Sequence, residues 1–191
     1  MTLSLERLTP DHFEAWSNLF ADSHSSCFCQ FWHFSGDKNA WLARCAFEPS
    51  ANRQLAEQSL NDGQFTGLIA RSDGKCVGWI KLAPAQQLVK LRNQSIYRKL
   101  ELESDHVLIV GCLLVHPDYR RRGVALALVQ GAVAEAERLG VRAVEAYPHA
   151  VAHEVHDEQA FMGRVSTYEA CGFERVFGDV AYPVYRKVLR A

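Results

Sequence analysis

The sequence predicts a mixed α/β domain, an α+β arrangement whose sheet contains one parallel crossover. Three observations carry this. The apolar run Val107-Leu108-Ile109-Val110-Gly111-Cys112-Leu113-Leu114-Val115 reads as a buried strand, and it runs through a basic turn into an amphipathic stretch that ends near Leu139. A second strand-like run at 141–147 follows that helix, and a strand–helix–strand unit of this kind is a parallel crossover. Around it, residues 64–82 and 173–188 read as antiparallel hairpins, which makes the sheet mixed.

The remaining elements follow from local chemistry. Leu3-Ser4-Leu5-Glu6-Arg7-Leu8 alternates apolar and polar, as a first strand does. Thr9-Pro10-Asp11 suits a helix start, and Phe13, Trp16, Leu19 and Phe20 then recur at helical spacing. Ser25 to Phe34 is short and aromatic. Residues 39–48 and 51–60 read as helices separated by Pro49. Strands at 64–71 and 75–82 are joined by Ser72-Asp73-Gly74, a hairpin turn, and Ala83-Pro84 ends the pair. Residues 86–102 read as a helix and a loop. Gly140 stands where a helix C-terminus needs a left-handed residue. Pro148 stops the strand at 141–147, and 149–158 is loop-like. A helix is expected at 159–170, then a turn at Cys171-Gly172-Phe173, then a last antiparallel pair at 173–177 and 182–188. No repeat or linker is visible, and one domain over residues 1–191 is expected.

Composition narrows the classes. With a net charge of −1, the chain lacks the global basic footprint of a nucleic-acid binder, though a local basic site is allowed. No apolar run reaches the roughly 18–20 residues of a membrane span. The first residues show no signal-peptide pattern, so the six cysteines read as free thiols of a cytoplasmic protein.

The basic turn is Arg120-Arg121-Arg122-Gly123-Val124-Ala125, led by Val115-His116-Pro117-Asp118-Tyr119. A helix start leaves backbone N–H groups free, and its dipole favours an anion there. Gly123 and Ala125 keep side chains out of the way, and the arginines add positive charge. The bland alternative is a solvated basic turn that only caps a helix.

This turn resembles the acetyl-CoA motif of the GNAT N-acetyltransferase superfamily, [Gln/Arg]-x-x-Gly-x-[Gly/Ala]. Tyr168-Glu169-Ala170-Cys171-Gly172-Phe173 is similar to the family's Tyr-x-x-x-Gly-Phe signature, and Asp73-Gly74-Lys75-Cys76-Val77-Gly78-Trp79 to its usual hairpin. Together these span roughly residues 65–188 in the family's order. Cys27-x-Cys29 with Trp32, and Glu145-Ala146-Tyr147-Pro148, resemble a less characterised bacterial subgroup.

The resemblance implies a GNAT-type fold, a central, mostly antiparallel twisted sheet of about six or seven strands with one parallel, splayed pair and flanking helices. It implies that Arg120, Arg121, Arg122, Gly123, Val124 and Ala125 hold the pyrophosphate of acetyl-CoA. It implies that Leu113, Leu114 and Val115 give backbone bonds to the pantetheine. Gly111 is a candidate for the irregularity that opens the cleft.

Acyl transfer to an amine needs a neutral nucleophile, oxyanion stabilisation and a proton for the departing thiolate. Tyr168 falls on the family's frequent general-acid position; otherwise it is a core aromatic. The family often has Asn seven residues earlier, where this chain has Phe161. Glu145 is the candidate base, with Glu101, Glu103, Asp105, His106 and His149 as alternatives. Cys112 suits a covalent nucleophile less well than a buried structural thiol, because direct transfer is the family's usual route.

Phe28, Trp32 and Tyr147 are candidates for the acceptor side, where the family places a variable loop; the alternative is that they cover the core. His24-x-x-Cys27-x-Cys29-x-x-x-His33 and His149-x-x-x-His153-x-x-His156 carry zinc-ligand atoms, but at spacings unlike structural zinc sites, and no metal is expected.

The leading expectation is therefore acetyl transfer from acetyl-CoA to a primary amine of a small molecule or protein. A non-catalytic acyl-CoA-binding module and a zinc-dependent protein are the competing readings. Neither a nucleic-acid nor a membrane partner is expected, and the chain is a monomer or homodimer.

Overall fold

The computed structural model describes residues 2–92, 94–97, 106–148, 150, 161–178 and 180–189. Strand β1 (Ser4–Arg7) leads through a 3₁₀ turn at Pro10–His12 into α1 (Phe13–Asp22). Helices α2 (Lys38–Phe47) and α3 (Pro49–Asn61) follow. Pro49, expected to separate them, instead opens α3, because the first helical position needs no N–H and suits proline's fixed φ.

The hairpin is β2 (Gly67–Ser72) and β3 (Lys75–Pro84). Short helical turns, including α4 (Val89–Arg92), fill part of 85–97. Then come β4 (Val107–Val115), α5 (Val124–Arg138), β5 (Ala143–Ala146), α6 (Val165–Ala170), β6 (Glu174–Phe177) and β7 (Val184–Val188). Helix α6 begins later than the expected 159: Gly163 holds φ +81°, which a helix does not accept, and 159–160 lie outside the described residues.

The sheet is mixed, in the order β1-β2-β3-β4-β5-β7-β6. Neighbours are antiparallel except β4 and β5, which run parallel across the α5 crossover. Period-two alternation sorts the core. On β2, Leu68 and Ala70 face α5, whereas Ile69 faces α1 and α3 with Trp16, Phe65 and Trp79. Helices α5 and α6 thus cover one face and α1 and α3 the other. A third cluster, with Trp32, Leu88, Tyr97, Ile109, Tyr147 and Met162, closes the sheet around β4, β5 and β7. No helix among the described residues is long and apolar enough to cross a membrane.

Candidate active site

The register of β4 makes the site possible. It pairs with β5 only from Val107 opposite Ala143 to Val110 opposite Ala146, then continues alone to Val115. On its other side β3 stays paired, but the register passes over Gly111: Lys81 faces Cys112 and Leu82 faces Val110. The irregularity expected at Gly111 is therefore a β-bulge, set where β4 and β5 part.

Past the bulge, one edge of β4 faces a gap. Leu113 N–H donates away from β3, to Phe161 C=O at 2.7 Å, and His116 N–H turns back to Val77 C=O at 3.0 Å. Alternation then puts Leu113 and Val115 on the gap edge and Leu114 on the β3 side. Gly111 C=O accepts from the Trp32 indole N–H at 2.8 Å, and Val115 C=O from Arg120 Nε at 3.2 Å. Between these occupied groups, Leu113 C=O and Val115 N–H stand side by side. That is the acceptor-and-donor pattern an extended amide ligand would meet.

The edge runs into the basic turn. A 3₁₀ turn at Pro117–Tyr119 is followed by Arg121 at φ +60° and Gly123 at φ +83°, and α5 starts at Val124 without a side-chain cap. Left-handed residues bracketing Arg122 turn successive N–H groups to one side, next to the uncapped helix start. Arg121, Arg122 and Gly123 are exposed, Val124 is buried beneath them, and the Arg122 guanidinium lies over the Tyr119 ring at 5.6 Å.

The approach of α5 to β3 fixes where this turn sits. A Cβ on Gly78 would fall 2.8 Å from Val124 Cγ1 and 2.9 Å from Leu128 Cδ1. Gly78→Val is expected to cost about 1–3 kcal/mol by overpacking, read as a lower urea midpoint, and to displace the start of α5.

Sequence reasoning missed the group that braces the turn from behind. His116 is 5% exposed; its Nδ1 accepts the Asp118 N–H at 3.2 Å. Its Nε2 lies 3.2 Å from Asp22 Oδ2 and 2.9 Å from Lys75 Nζ, and Lys75 Nζ lies 3.0 Å from the same Asp22 oxygen. The bond from Lys75 chiefly holds the Asp22 carboxyl below its usual range, and His116 adds to it.

Tyr168 is fully buried on α6. Its hydroxyl donates to Met162 C=O at 2.8 Å, and its ring packs on Phe173 at 5.4 Å. Burial chiefly, then the neighbouring Cys112 and Cys171, raises its pKa, so the hydroxyl stays protonated. Gly163 brings it to the β4 edge: a Cβ there would meet both the Tyr168 hydroxyl at 2.7 Å and Leu113 Cδ2 at 3.1 Å. Tyr168 and Leu113, expected on sequence grounds to share a site, are thus brought together.

Glu145 has no exposed surface. It accepts from the Tyr147 hydroxyl at 2.9 Å and lies 3.5 Å from Arg186 on β7. Tyr147 is buried as well, edge-on to Tyr97 at 5.0 Å. The alternative base His106 is exposed in a left-handed turn, whereas Glu101, Glu103, Asp105 and His149 lie outside the described residues. So do His153 and His156. Among the described residues, no three His, Cys, Asp or Glu side chains gather as a metal site requires, and all six cysteines are free thiols.

The aromatic segment folds inward. Phe28 stacks on Phe20 at 5.4 Å in the α1–α3 core, while Trp32 reaches the bulge. Phe28 and Cys29 both take positive φ (40° and 60°), a conformation non-glycine residues adopt only when neighbours enforce it. Lys81, 1% exposed, lies beneath this segment: its ammonium donates to Cys29 C=O at 3.2 Å and His33 Nε2 at 2.6 Å and lies 4.2 Å from the Phe65 ring centroid. Burial pushes the Cys29 thiol up, and the Cys112 thiol, the Lys81 ammonium and the Trp79 indole together pull it further down, to about 7. A lysine inside the apolar run from Val77 to Pro84 was the sequence signal for this cluster.

His33 has a pKa lowered to about 4 by burial and then by Lys81. In the folded chain it stays neutral while an unfolded histidine, near 6.5, takes a proton. Its contribution is therefore fully present above about pH 6.5 and is lost as the pH falls toward 4. Urea midpoints measured from pH 7 to pH 4 are expected to fall less steeply in His33→Gln than in the wild type.

An open cleft of about 420 Å³, lined by Ile96, Phe177, Gly178 and Tyr182, lies between the 3₁₀ turn at Ser95–Tyr97 and the start of the β6–β7 connection. None of these residues was expected from the sequence.

The Acetyltransferase (GNAT) family model matches residues 6–173, and the chain belongs to that family. No curated protein matches the chain in sequence. Its fold is similar to that of the PaiA N-acetyltransferase of Thermoplasma acidophilum, solved with coenzyme A (TM-score 0.59, 15% identity, 99% of this chain and 100% of that one). It is also similar to the ribosomal-protein-alanine N-acetyltransferase of Brucella melitensis (0.56, 16%, 97% and 99%). A third likeness is to aminoglycoside acetyltransferase AAC(6')-Ib, solved with coenzyme A (0.59, 15%, 98% and 95%).

Proposed function

We propose that the chain transfers the acetyl group of acetyl-CoA directly to a primary amine. The observation that carries this is the continuity of the β4 edge with the anion-binding turn. Pyrophosphate on the N–H groups of residues 121–125 would leave the pantetheine to run back along Val115 and Leu113. Coenzyme A in the solved structures of the PaiA and aminoglycoside enzymes supports the choice of donor.

In this reading, the amine attacks the thioester carbonyl and the C–S bond breaks. Tyr168, held beside Leu113, gives its proton to the leaving thiolate. Glu145 receives the amine proton through the Tyr147 hydroxyl, which donates to it at 2.9 Å, and releases it to solvent as the product leaves. Tyr168 then regains a proton from solvent as CoA leaves.

The test is thiol release from acetyl-CoA in the presence of a panel of primary amines: small polyamines, amino acids, aminoglycosides and N-terminal peptides. Release that depends on one amine class, with an acetylated product 42 Da heavier (about, by mass spectrometry) than the amine, supports the enzyme. Binding of acetyl-CoA without turnover of any amine returns the chain to a non-catalytic acyl-CoA-binding role.

A further inference from the structure

We propose that Trp32 sets the acyl-chain length this chain accepts, closing the inner end of the β4 edge against groups larger than acetyl. The inference rests on the donor reading above and adds the class of donor.

The direction of the donor follows from the turn. With phosphates at the C-terminal end of β4, the pantetheine runs toward its N-terminal end, past Val115 and then Leu113. The next carbonyl on that edge belongs to Gly111, and the Trp32 indole already holds it at 2.8 Å. Two residues of extended strand span roughly 6–7 Å, and the Phe161 carbonyl, bonded to Leu113 N–H at 2.7 Å, already stands within that span, so only a short acyl group would follow the sulfur there.

Trp32 is also a wall. It is 6% exposed, and its ring lies 4.6 Å from Phe31 and 6.1 Å from Phe161. It shares a buried cluster with Met162, Leu88 and Ile109. Tyr168, bonded to Met162 C=O and placed beside Leu113 across Gly163, marks the level of the sulfur. An acyl chain leaving that sulfur points at the indole. A close-packed interior yields little to added methylenes, and each one it must accommodate costs affinity.

Phe161 occupies the position where the resemblance leads one to expect Asn. Its carbonyl still reaches Leu113, and its ring thickens the same wall. The substitution therefore exchanges a polar contact for an apolar limit on size.

The experiment is titration calorimetry with CoA, acetyl-CoA, butyryl-CoA and hexanoyl-CoA. Wild-type protein is expected to bind acetyl-CoA at least about tenfold more tightly than hexanoyl-CoA, the scale on which a pocket discriminates single methylenes. Trp32→Ala is expected to bring the two within about threefold. Because Trp32→Ala also strips Gly111 of its donor and can fail to fold, Phe161→Ala provides a second arm. It keeps the indole bond, and it is expected to narrow the ratio by at least about threefold. Equal wild-type binding of acetyl-CoA and hexanoyl-CoA overturns the proposal and leaves the donor reading intact. So does an unchanged ratio in Phe161→Ala or in folded Trp32→Ala. Failure of the wild type to bind CoA at all overturns both.

Discussion

Replacing Gly123 by Glu is expected to weaken CoA binding by about a hundredfold or more while leaving the fold standing. Two effects add. Gly123 sits at φ +83°, where any side chain costs about 1–2 kcal/mol, a cost that enters binding because the substituted turn would relax in the free protein and must return to this conformation to hold the ligand. The new carboxylate then stands among the N–H groups that would otherwise meet pyrophosphate. At an effective dielectric near 20–80, one like-charge pair at about 4 Å costs roughly 1–4 kcal/mol. Their sum, about 3 kcal/mol or more, corresponds to about a hundredfold in Kd. No heavy atom lies within 4 Å of a Cβ at this position, so the side chain itself clashes with nothing. Gly123→Ala isolates the backbone cost and is expected to lose only about five- to thirtyfold. Calorimetry gives both affinities, and urea unfolding shows whether stability has moved. Equal affinity in Gly123→Glu and the wild type would remove the turn from the site.

Tyr168→Phe is expected to lower kcat by about a hundred- to a thousandfold with CoA affinity nearly unchanged, the range typical of losing a positioned acid. The ring keeps its contact with Phe173, and the structural loss is one hydrogen bond to Met162 C=O, about 1 kcal/mol. Rates measured with whichever amine supports thiol release, beside CoA titrations of the same protein, separate a lost acid from a damaged cleft. Such a split cannot come from loosened packing alone, which would weaken binding as well. A variant with undiminished kcat would make Tyr168 a core residue that only holds the segment at 161–163.

What the sequence disclosed about this site was local. A glycine in a strand of large apolar residues marked the bulge, and Gly123 between basic residues and a helix marked the turn. Tyr168 lay in a recognisable string with Gly172 and Phe173. Each is a short stretch whose backbone needs are written in its own residues.

The hidden parts are joined over long separations. Trp32 and Gly111 are 79 positions apart, and His116 and Asp22 are 94 apart. No periodicity links such residues; only the folded sheet does. Lys81 was legible in principle, since a cation inside an apolar strand must find partners. Its partners, Cys29 and His33, are set by an irregular segment whose positive φ values follow no sequence rule. The late start of α6 has the opposite lesson. Gly163 stood in the sequence as a helix breaker, and its φ of +81° sets the later start.

The splayed edge of β4 and the turn at 120–125 are proposed to form one site for an acyl-CoA donor. Calorimetric titration of the unmodified chain with CoA tests it most directly, with pantetheine, which lacks the phosphates, as the control. One CoA per chain is expected, with Kd between about 1 μM and 1 mM and much weaker binding of pantetheine. Absence of CoA binding at millimolar concentration, or equal affinity for pantetheine, would contradict it.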